Sequence, residues 1–138
     1  PLHIAKDAAT NQAATSDETT FYNLTTNIEN VLIQAELDFP MPDGTELWLS
    51  GSSSLGSSHG QTRLKSGTNA AIISGIGRGL ENGQVLQYRF IAMNSVDSVP
   101  LQSRSITLTL TDSENGRQQR LTQIVTFSAE TTYSSTEN

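Results

Sequence analysis

The chain has 138 residues, a formal net charge of −6 and no cysteine. This length suits one domain with a sizeable core, and the lack of thiols excludes disulfides and thiolate chemistry. The acidic balance argues against nucleic acid or an anionic membrane as a partner, and no apolar run is long enough to insert across a bilayer.

The first twenty residues are polar, and Leu2 and Ile4 are their only bulky apolar side chains. This composition predicts an N-terminal linker or edge segment over residues 1–20, with a short edge strand at residues 2–5. Apolar residues become regular from Phe21 onward, which predicts a β-sandwich domain over residues 21–130. The Thr- and Ser-rich residues 131–138 are predicted to form a C-terminal linker.

Alternating apolar and polar residues predict a first strong strand over residues 30–39, with Phe39 on its inward face. Two prolines then stop it. Residues 46–50 predict a second strand, in which a single tryptophan, Trp48, is expected to be part of the core. A Ser/Gly-rich loop follows over residues 51–60. The next stretch predicts a short hairpin from residues 61–65 and 69–74, then one helical turn over residues 78–82.

The clearest alternation lies between residues 84 and 129, where three strands place apolar residues at alternate positions, interrupted once by Gln123. A long loop over residues 93–103 separates the first two, and the turn residues 112–116 join the last two. Together with turn signals every few residues, these patterns predict an all-β sandwich of about seven to nine mostly antiparallel strands. The expected core is Val31, Ile33, Leu37, Leu86, Tyr88, Phe90, Ile106, Leu108, Leu110, Val125 and Phe127.

No catalytic motif is recognisable in the sequence. The serines do not form a Gly-x-Ser-x-Gly elbow, and His3 and His59 lie far apart in unrelated contexts. The glycines at 75, 77 and 79 precede a predicted strand rather than the long helix that a phosphate-binding loop requires. We therefore expect the chain not to be an enzyme.

Oxygen-bearing side chains gather near the ends of one predicted strand. Asp97 lies in the loop before it, and Asp112, Glu114 and Asn115 lie at its far end. Carboxylate and amide oxygens on loops are ligands that Ca²⁺ prefers, so these four residues are candidate calcium ligands. The strand is too long for its two ends to meet easily, so Asp97 is expected to belong to a different site. The alternative is that Asp and Asn simply form turns here.

A series of motifs extends over roughly residues 27–128, namely Tyr88-Arg89-Phe90, the loop at 94–100, the strand from Arg104 to Asp112, the strand at 122–127 and, more loosely, Pro42-Asp43-Gly44 and Leu47-Trp48-Leu49. Together these motifs resemble the cadherin-like repeats of large bacterial cell-surface adhesins of the biofilm and RTX type. The resemblance implies an Ig-like/cadherin-like sandwich, used in tandem outside the cell, often with Ca²⁺ at the joints. Asp97 and Asp112 match its acidic positions, whereas residues 27–30 depart from its usual Asp-x-Asp cluster.

The leading hypothesis is therefore a non-enzymatic extracellular module of a surface adhesin, acting as a spacer or a ligand-binding domain. Its expected partners are neighbouring domains of the same chain and a cell-surface protein or glycan, and in isolation it should be a monomer. One alternative is a fimbrial subunit that assembles by donor-strand exchange, with Leu2 and Ile4 in the donated segment. Another is a carbohydrate-binding module that presents Trp48 or Tyr22 as a stacking platform.

Overall fold

A computed structural model describes residues 1–7, 14–27, 29–93 and 95–132. Within these ranges it contains strands and no helix, so it contains no helix long and apolar enough to cross a membrane. The all-β prediction is confirmed, with eight strands of six or more residues and two of only two residues. In chain order they are β1 (Leu2–Asp7), β2 (Ala14–Thr26), β3 (Val31–Leu37), β4 (Thr45–Gly51), β5 (Ser57–Ser58), β6 (Thr62–Arg63), β7 (Ala70–Ile76), β8 (Gly79–Ala92), β9 (Val99–Asp112) and β10 (Gln118–Thr132).

The strands form two sheets. The larger has the order β1-β10-β9-β3-β7-β5, and the smaller has the order β2-β8-β4-β6. Only the β1–β10 pair is parallel among the pairs in the described chain, which confirms the mostly antiparallel arrangement. Because β8 and β9 lie in different sheets, the segment between them carries the chain across the sandwich.

The core lies between the sheets and follows the period-two pattern of the strands. In β3 and β4, alternate residues are buried and the residues between them are half-buried. Every residue of the expected core is buried except Leu110, which is partly buried and packs against the others. Burial of these side chains contributes roughly 1.5–3 kcal/mol for each large aliphatic or aromatic residue, which makes the interior the main source of stability.

The N-terminal residues are part of the sandwich. Leu2 and Ile4 are buried in the core. β1 pairs with residues 127–132 of β10, and it ends at Asp7, two residues beyond the end of the strand that the sequence predicts at residues 2–5. Residues 14–20, which the sequence assigns to a linker or edge segment, form the first half of β2, an edge strand of the smaller sheet. Their inward-facing side chains, Ala14, Ser16, Glu18 and Thr20, are only half-buried, so small or polar residues suffice and the apolar alternation is missing. At the other end β10 continues to Thr132, and residues 133–138 of the predicted linker lie outside the described residues.

The middle of the chain corrects two further predictions. The hairpin predicted from residues 61–65 and 69–74 is present only as a tight turn, in which Lys65 and Thr68 form an isolated antiparallel bridge. Its two arms do not pair, since β6 pairs with β4 in one sheet and β7 pairs with β3 and β5 in the other. The helical turn over residues 78–82 is also wrong, because β8 already begins at Gly79. Gly79 has a φ of +142°, and a Cβ there would lie 3.0 Å from Leu55. A glycine needed for this conformation interrupts the side-chain alternation and so hides the strand.

Arg104 of β9 is a buried cation that links the loop at Pro40 to the core. Its Nε and Nη2 donate to the carbonyl oxygen of Pro40 at 3.1 and 2.7 Å, and its Nη1 donates to that of Ser103 at 3.0 Å. The guanidinium carbon lies 5.3 Å from the ring centroids of both Phe39 and Phe127. β3 ends at Leu37, so the prediction that Phe39 faces the core is wrong, and its exposed ring covers the guanidinium instead.

Tyr88 should make the fold sensitive to alkali. Burial raises the pKa of its phenol, and the charge of Glu18 raises it further. In the unfolded chain the phenol ionises at its ordinary value of about 10, so the contribution of Tyr88 to the free energy of unfolding should be constant below that pH and fall as the pH rises above it. Urea unfolding between pH 8 and 11 should show this decline, and Tyr88→Phe should make it shallower. An unchanged slope in Tyr88→Phe would contradict the assignment.

Candidate functional site

Three of the predicted calcium ligands meet in the hairpin between β9 and β10. Asp112 is buried, and its Oδ1 accepts a hydrogen bond from the backbone N–H of Glu114 at 2.9 Å. The Oδ1 of Asn115 accepts one from the N–H of Arg117, also at 2.9 Å. The N–H of Gly116 closes the turn on the carbonyl oxygen of Asp112 at 2.8 Å. One side-chain oxygen of Asp112 and one of Asn115 therefore hold the turn itself, as Asx turns do.

Asp97 lies at the opposite end of β9. Asp97 precedes this strand, which begins at Val99 and ends at Asp112. The 13 residue steps from Val99 to Asp112, at about 3.3 Å each, separate the two ends of the strand by roughly 40 Å. The backbone oxygen of Asp97 accepts a hydrogen bond from the Thr131 hydroxyl. Among the described residues no three His, Asp or Glu side chains form a group that could hold a metal. A calcium site stays a prediction.

Replacing Asp112 distinguishes its role in the turn from a role as a metal ligand. In the presence of a chelator, Asp112→Ala should lower the free energy of unfolding by about 1–3 kcal/mol, because a charged hydrogen-bond acceptor is lost from a buried position. If the hairpin also binds calcium with a Kd near 10⁻⁴ M, then about 10 mM calcium should stabilise the wild type by roughly 2.7 kcal/mol.

The measurement is a set of melting curves of the wild type and of Asp112→Ala, each recorded with calcium and with chelator. A calcium-dependent shift that Asp112→Ala abolishes would support the metal site. A shift that survives the substitution would place the metal elsewhere, and the absence of any shift would leave these residues as turn formers.

A different cluster lies on the outward face of the smaller sheet. Leu47 and Leu49 of β4 are buried, so Trp48 between them points outward and is only partly buried. The expectation that this tryptophan belongs to the core is wrong. All three residues are apolar, and the sequence alone does not determine which of them faces inward.

Cross-strand pairing puts Trp48 in the middle of a charged row. It is paired with Arg89 of β8 on one side and with Arg63 of β6 on the other, and Arg89 is paired in turn with Asp17 of β2. Directly paired residues share one face of a sheet, so these four side chains run across the sheet in the order Asp17, Arg89, Trp48, Arg63. We call this set, together with Glu46, the Trp48 row.

Ion pairs and hydrogen bonds link the members of the row. The indole Nε1 donates to Oε1 of Glu46 at 2.9 Å, and Oε2 of Glu46 lies 3.3 Å from Nη1 of Arg63. Arg89 donates to both carboxylate oxygens of Asp17, at 2.7 and 3.1 Å, and this hydrogen bonding raises the pKa of Arg89. The result is a partly buried indole with a guanidinium on each side, each oriented by a carboxylate.

Tyr22, the other predicted platform, has a different role. Its side chain is half-buried, and its hydroxyl donates to the carbonyl oxygen of Ser52 at 2.7 Å. In β2 the inward and outward positions alternate, which puts Tyr22 on the inward side and Asp17 on the outward side. Tyr22 is therefore not part of the Trp48 row.

One further group of residues has the composition of a hydrolytic triad. Nδ1 of His3 lies 2.7 Å from Oγ of Ser128, and its Nε2 lies 3.6 Å from Oε1 of Glu130. The side chains of His3 and Glu130 are 52% and 66% exposed on a sheet surface. A nucleophile in water gains little from such neighbours, since activation depends on a desolvated site with donors for the oxyanion. We assign this group no catalytic role.

No known family model matches the sequence, and no curated protein matches it. Among the solved structures with a similar fold are the following three. The chain is 10% identical to AvmM, which catalyses macrocyclization in alchivemycin A biosynthesis, over 99% of this chain and 88% of AvmM, with a TM-score of 0.43. It is 10% identical to the N-terminal domain of PorA, over 96% of this chain and 87% of that one, with a TM-score of 0.40.

The third structure is CfaE, the adhesive subunit of the CFA/I fimbria of enterotoxigenic Escherichia coli. Identity is 12% over 94% of this chain, and the TM-score is 0.46. The chain spans about half of CfaE, namely 46% of its length. Nothing about function follows from similarities at this level.

Proposed function

We propose that the chain is a non-enzymatic extracellular module of a cell-surface adhesin and that it binds glycan through the Trp48 row. The observation that carries this proposal is the outward-facing Trp48 between two arginines on one sheet face. The apolar face of a sugar ring stacks on an aromatic side chain, and guanidinium and carboxylate groups bind its hydroxyls.

The electrostatics of the row support recognition of hydroxyl groups. Arg63 and Arg89 each have a carboxylate partner at 3.3 Å or closer, which fixes the guanidinium planes before a ligand arrives. Groups held in place in this way lose less conformational entropy on binding than free side chains do. The exposed part of each guanidinium still has N–H groups to donate.

The fimbrial alternative is less well supported by the N-terminal strand. A donor-strand subunit inserts its N-terminal segment into a neighbour, whereas Leu2 and Ile4 are buried in the core of their own domain. We therefore propose a module that folds as a monomer and extends the reach of a larger surface protein. Calcium at the hairpin would add stiffness to such a module and does not affect the glycan proposal.

The test uses the single tryptophan as a fluorescent reporter. Cellohexaose as a neutral probe and hexagalacturonate as an acidic probe should change the emission of the wild type, since a stacked sugar alters the surroundings of the indole. For each probe that changes the emission, isothermal titration should then show that Trp48→Ala binds it at least about 10-fold more weakly than the wild type does.

Phe21→Ala is the matched control. Phe21 is an exposed aromatic residue on the same sheet face, four residues along β2 from Asp17 and so about 13 Å away. The control should retain affinity. Equal losses in both variants, or no response to either probe at millimolar concentration, would contradict a glycan site at Trp48.

A further inference from the structure

A cleft opens at the end of the sandwich where the chain passes from β3 to β4. It has a volume of about 380 Å³, within the range of roughly 300–1,000 Å³ that is typical of small-ligand sites. One wall is the loop over residues 40–45, and the other is the segment over residues 63–66 at the end of β6. Both walls adjoin strands of the smaller sheet, which also carries the Trp48 row.

Hydrogen bonds hold the loop wall in place. The carbonyl oxygen of Pro40 accepts two hydrogen bonds from the buried guanidinium of Arg104. The carbonyl oxygen of Pro42 accepts one from the backbone N–H of Thr45 at 3.0 Å and one from the Thr45 hydroxyl at 2.6 Å. The backbone of this wall is therefore fixed at two of its residues before a ligand enters.

The opposite wall is anchored to the end of β3. The backbone N–H of Leu37 donates to the carbonyl oxygen of Lys65 at 3.0 Å, and Leu37 also forms a parallel bridge with Ser66. Lys65 and Thr68 form the antiparallel bridge that closes the turn around Gly67, whose φ is +76°. Since both walls are held by contacts within the chain, a ligand meets a preformed cleft, and binding requires little additional ordering.

The lining of the cleft contains two cations and one carboxylate. Arg63 and Lys65 belong to one wall, and Asp43 belongs to the other. Among the described residues, no ion pair within 4 Å joins Asp43 to either cation, and none involves Lys65. The exposed ammonium of Lys65 is therefore available to an anionic group of a ligand, although the chain as a whole has a net charge of −6.

The cleft is continuous with the Trp48 row through Arg63. This arginine is paired with Trp48 and lies 3.3 Å from Glu46 in the row, and it also lines the cleft. Lys65 follows two residues later, about 7 Å further along the chain at roughly 3.3 Å per residue. Two linked sugar rings span such a distance, so a glycan that stacks on Trp48 reaches the cleft with its next ring.

We propose that the cleft binds the carboxylate of an acidic glycan built of uronic acids, whose neighbouring ring stacks on Trp48. Lys65 donates to the carboxylate, as does the part of Arg63 that Glu46 leaves exposed, and Asp43 accepts from hydroxyls of the same ring. A uronic acid carries a carboxylate and hydroxyls on one ring, which matches a cleft that has both cations and a carboxylate. This inference rests on the proposed function, since it names the class of glycan that the Trp48 row binds.

The probes are hexagalacturonate and its fully methyl-esterified form, which has the same rings and linkages but no charge. Isothermal titration of the intact chain should show the acidic form binding at least about 10-fold more tightly than the ester, because hydrogen bonds to a charged acceptor are stronger than those to a neutral one. Most of this preference should disappear at an ionic strength of about 1 M, where the Debye length is only about 3 Å.

Substitutions of single cations locate the effect. Lys65→Met removes the ammonium but keeps a long side chain, so it should weaken binding of hexagalacturonate about 10-fold and change binding of the ester less than about 2-fold. Lys65→Arg should retain the preference for the acidic form. Arg120→Met is the matched control, because it removes one exposed positive charge from β10 in the larger sheet, and it should bind both probes as the wild type does.

Trp48→Ala separates this inference from the proposed function, since it should weaken binding of both probes. If the ester binds through Trp48 and the acidic form binds no more tightly, the cleft proposal is overturned and the glycan site at Trp48 stands. Equal losses of hexagalacturonate affinity in Lys65→Met and Arg120→Met would also overturn it, because the effect would then come from net charge. If neither form binds at millimolar concentration, the cleft proposal is overturned, and titration with cellohexaose then decides whether Trp48 binds glycan at all.

Discussion

Phe90→Ala is expected to lower the free energy of unfolding by about 3–5 kcal/mol, the largest effect of any single truncation proposed for this chain. The ring of Phe90 is 0% exposed, and its centroid lies 4.9 Å from that of Phe127 at an interplanar angle of 40°. Truncation removes both the buried apolar area and this aromatic contact between the two sheets. Urea unfolding followed by circular dichroism measures the change.

Exposed Phe21 is the control for this substitution. Phe21→Ala should change the free energy of unfolding by less than about 0.5 kcal/mol, as surface substitutions usually do. A Phe90→Ala variant with an unmoved urea midpoint would mean that β8 is shifted by one residue, with Phe90 on the outward face.

Leu2→Ala is expected to destabilise the fold by about 2–4 kcal/mol, although it changes the second residue of the chain. Leu2 is 0% exposed and is paired with Phe127, so its truncation leaves a cavity in the core. His3→Ala is the matched control, because His3 lies next to it in β1 and is half exposed. The control should cost less than about 1 kcal/mol.

Urea midpoints of the two variants give the comparison. If Leu2→Ala is as stable as the wild type, β1 is not docked in solution, and the first residues form the linker that their composition predicts. The two outcomes also distinguish a self-completed sandwich from one whose first strand is free to enter a neighbour.

The sequence predicts a strand well where one face of the strand is buried and the other is exposed to solvent. β3 and the later halves of β8 and β10 show this, since their apolar residues alternate and are buried as expected. β2 was missed because an edge strand over a partly open core needs only half-buried Ser and Thr. The beginning of β8 was missed because Gly79 requires a conformation that removes the side chain from the pattern.

The candidate sites depend on contacts between distant residues, which limits their prediction. The turn at Asp112 and Asn115 is local, and its residue types predict it correctly. The Trp48 row needs the phase of β4 and its pairing with β6 and β8, and neither is encoded in the apolar run Leu47-Trp48-Leu49.

Arg104 forms a joint whose strength should not depend on the acidity of the surroundings. Its partners are two carbonyl oxygens and two aromatic rings, and no carboxylate in the described chain lies within 4 Å of its guanidinium. Neither a carbonyl oxygen nor an aromatic ring gains or loses a proton in the ordinary pH range. The connection between the loop at Pro40 and the start of β9 should therefore persist at high salt, which screens exposed ion pairs such as Arg89–Asp17.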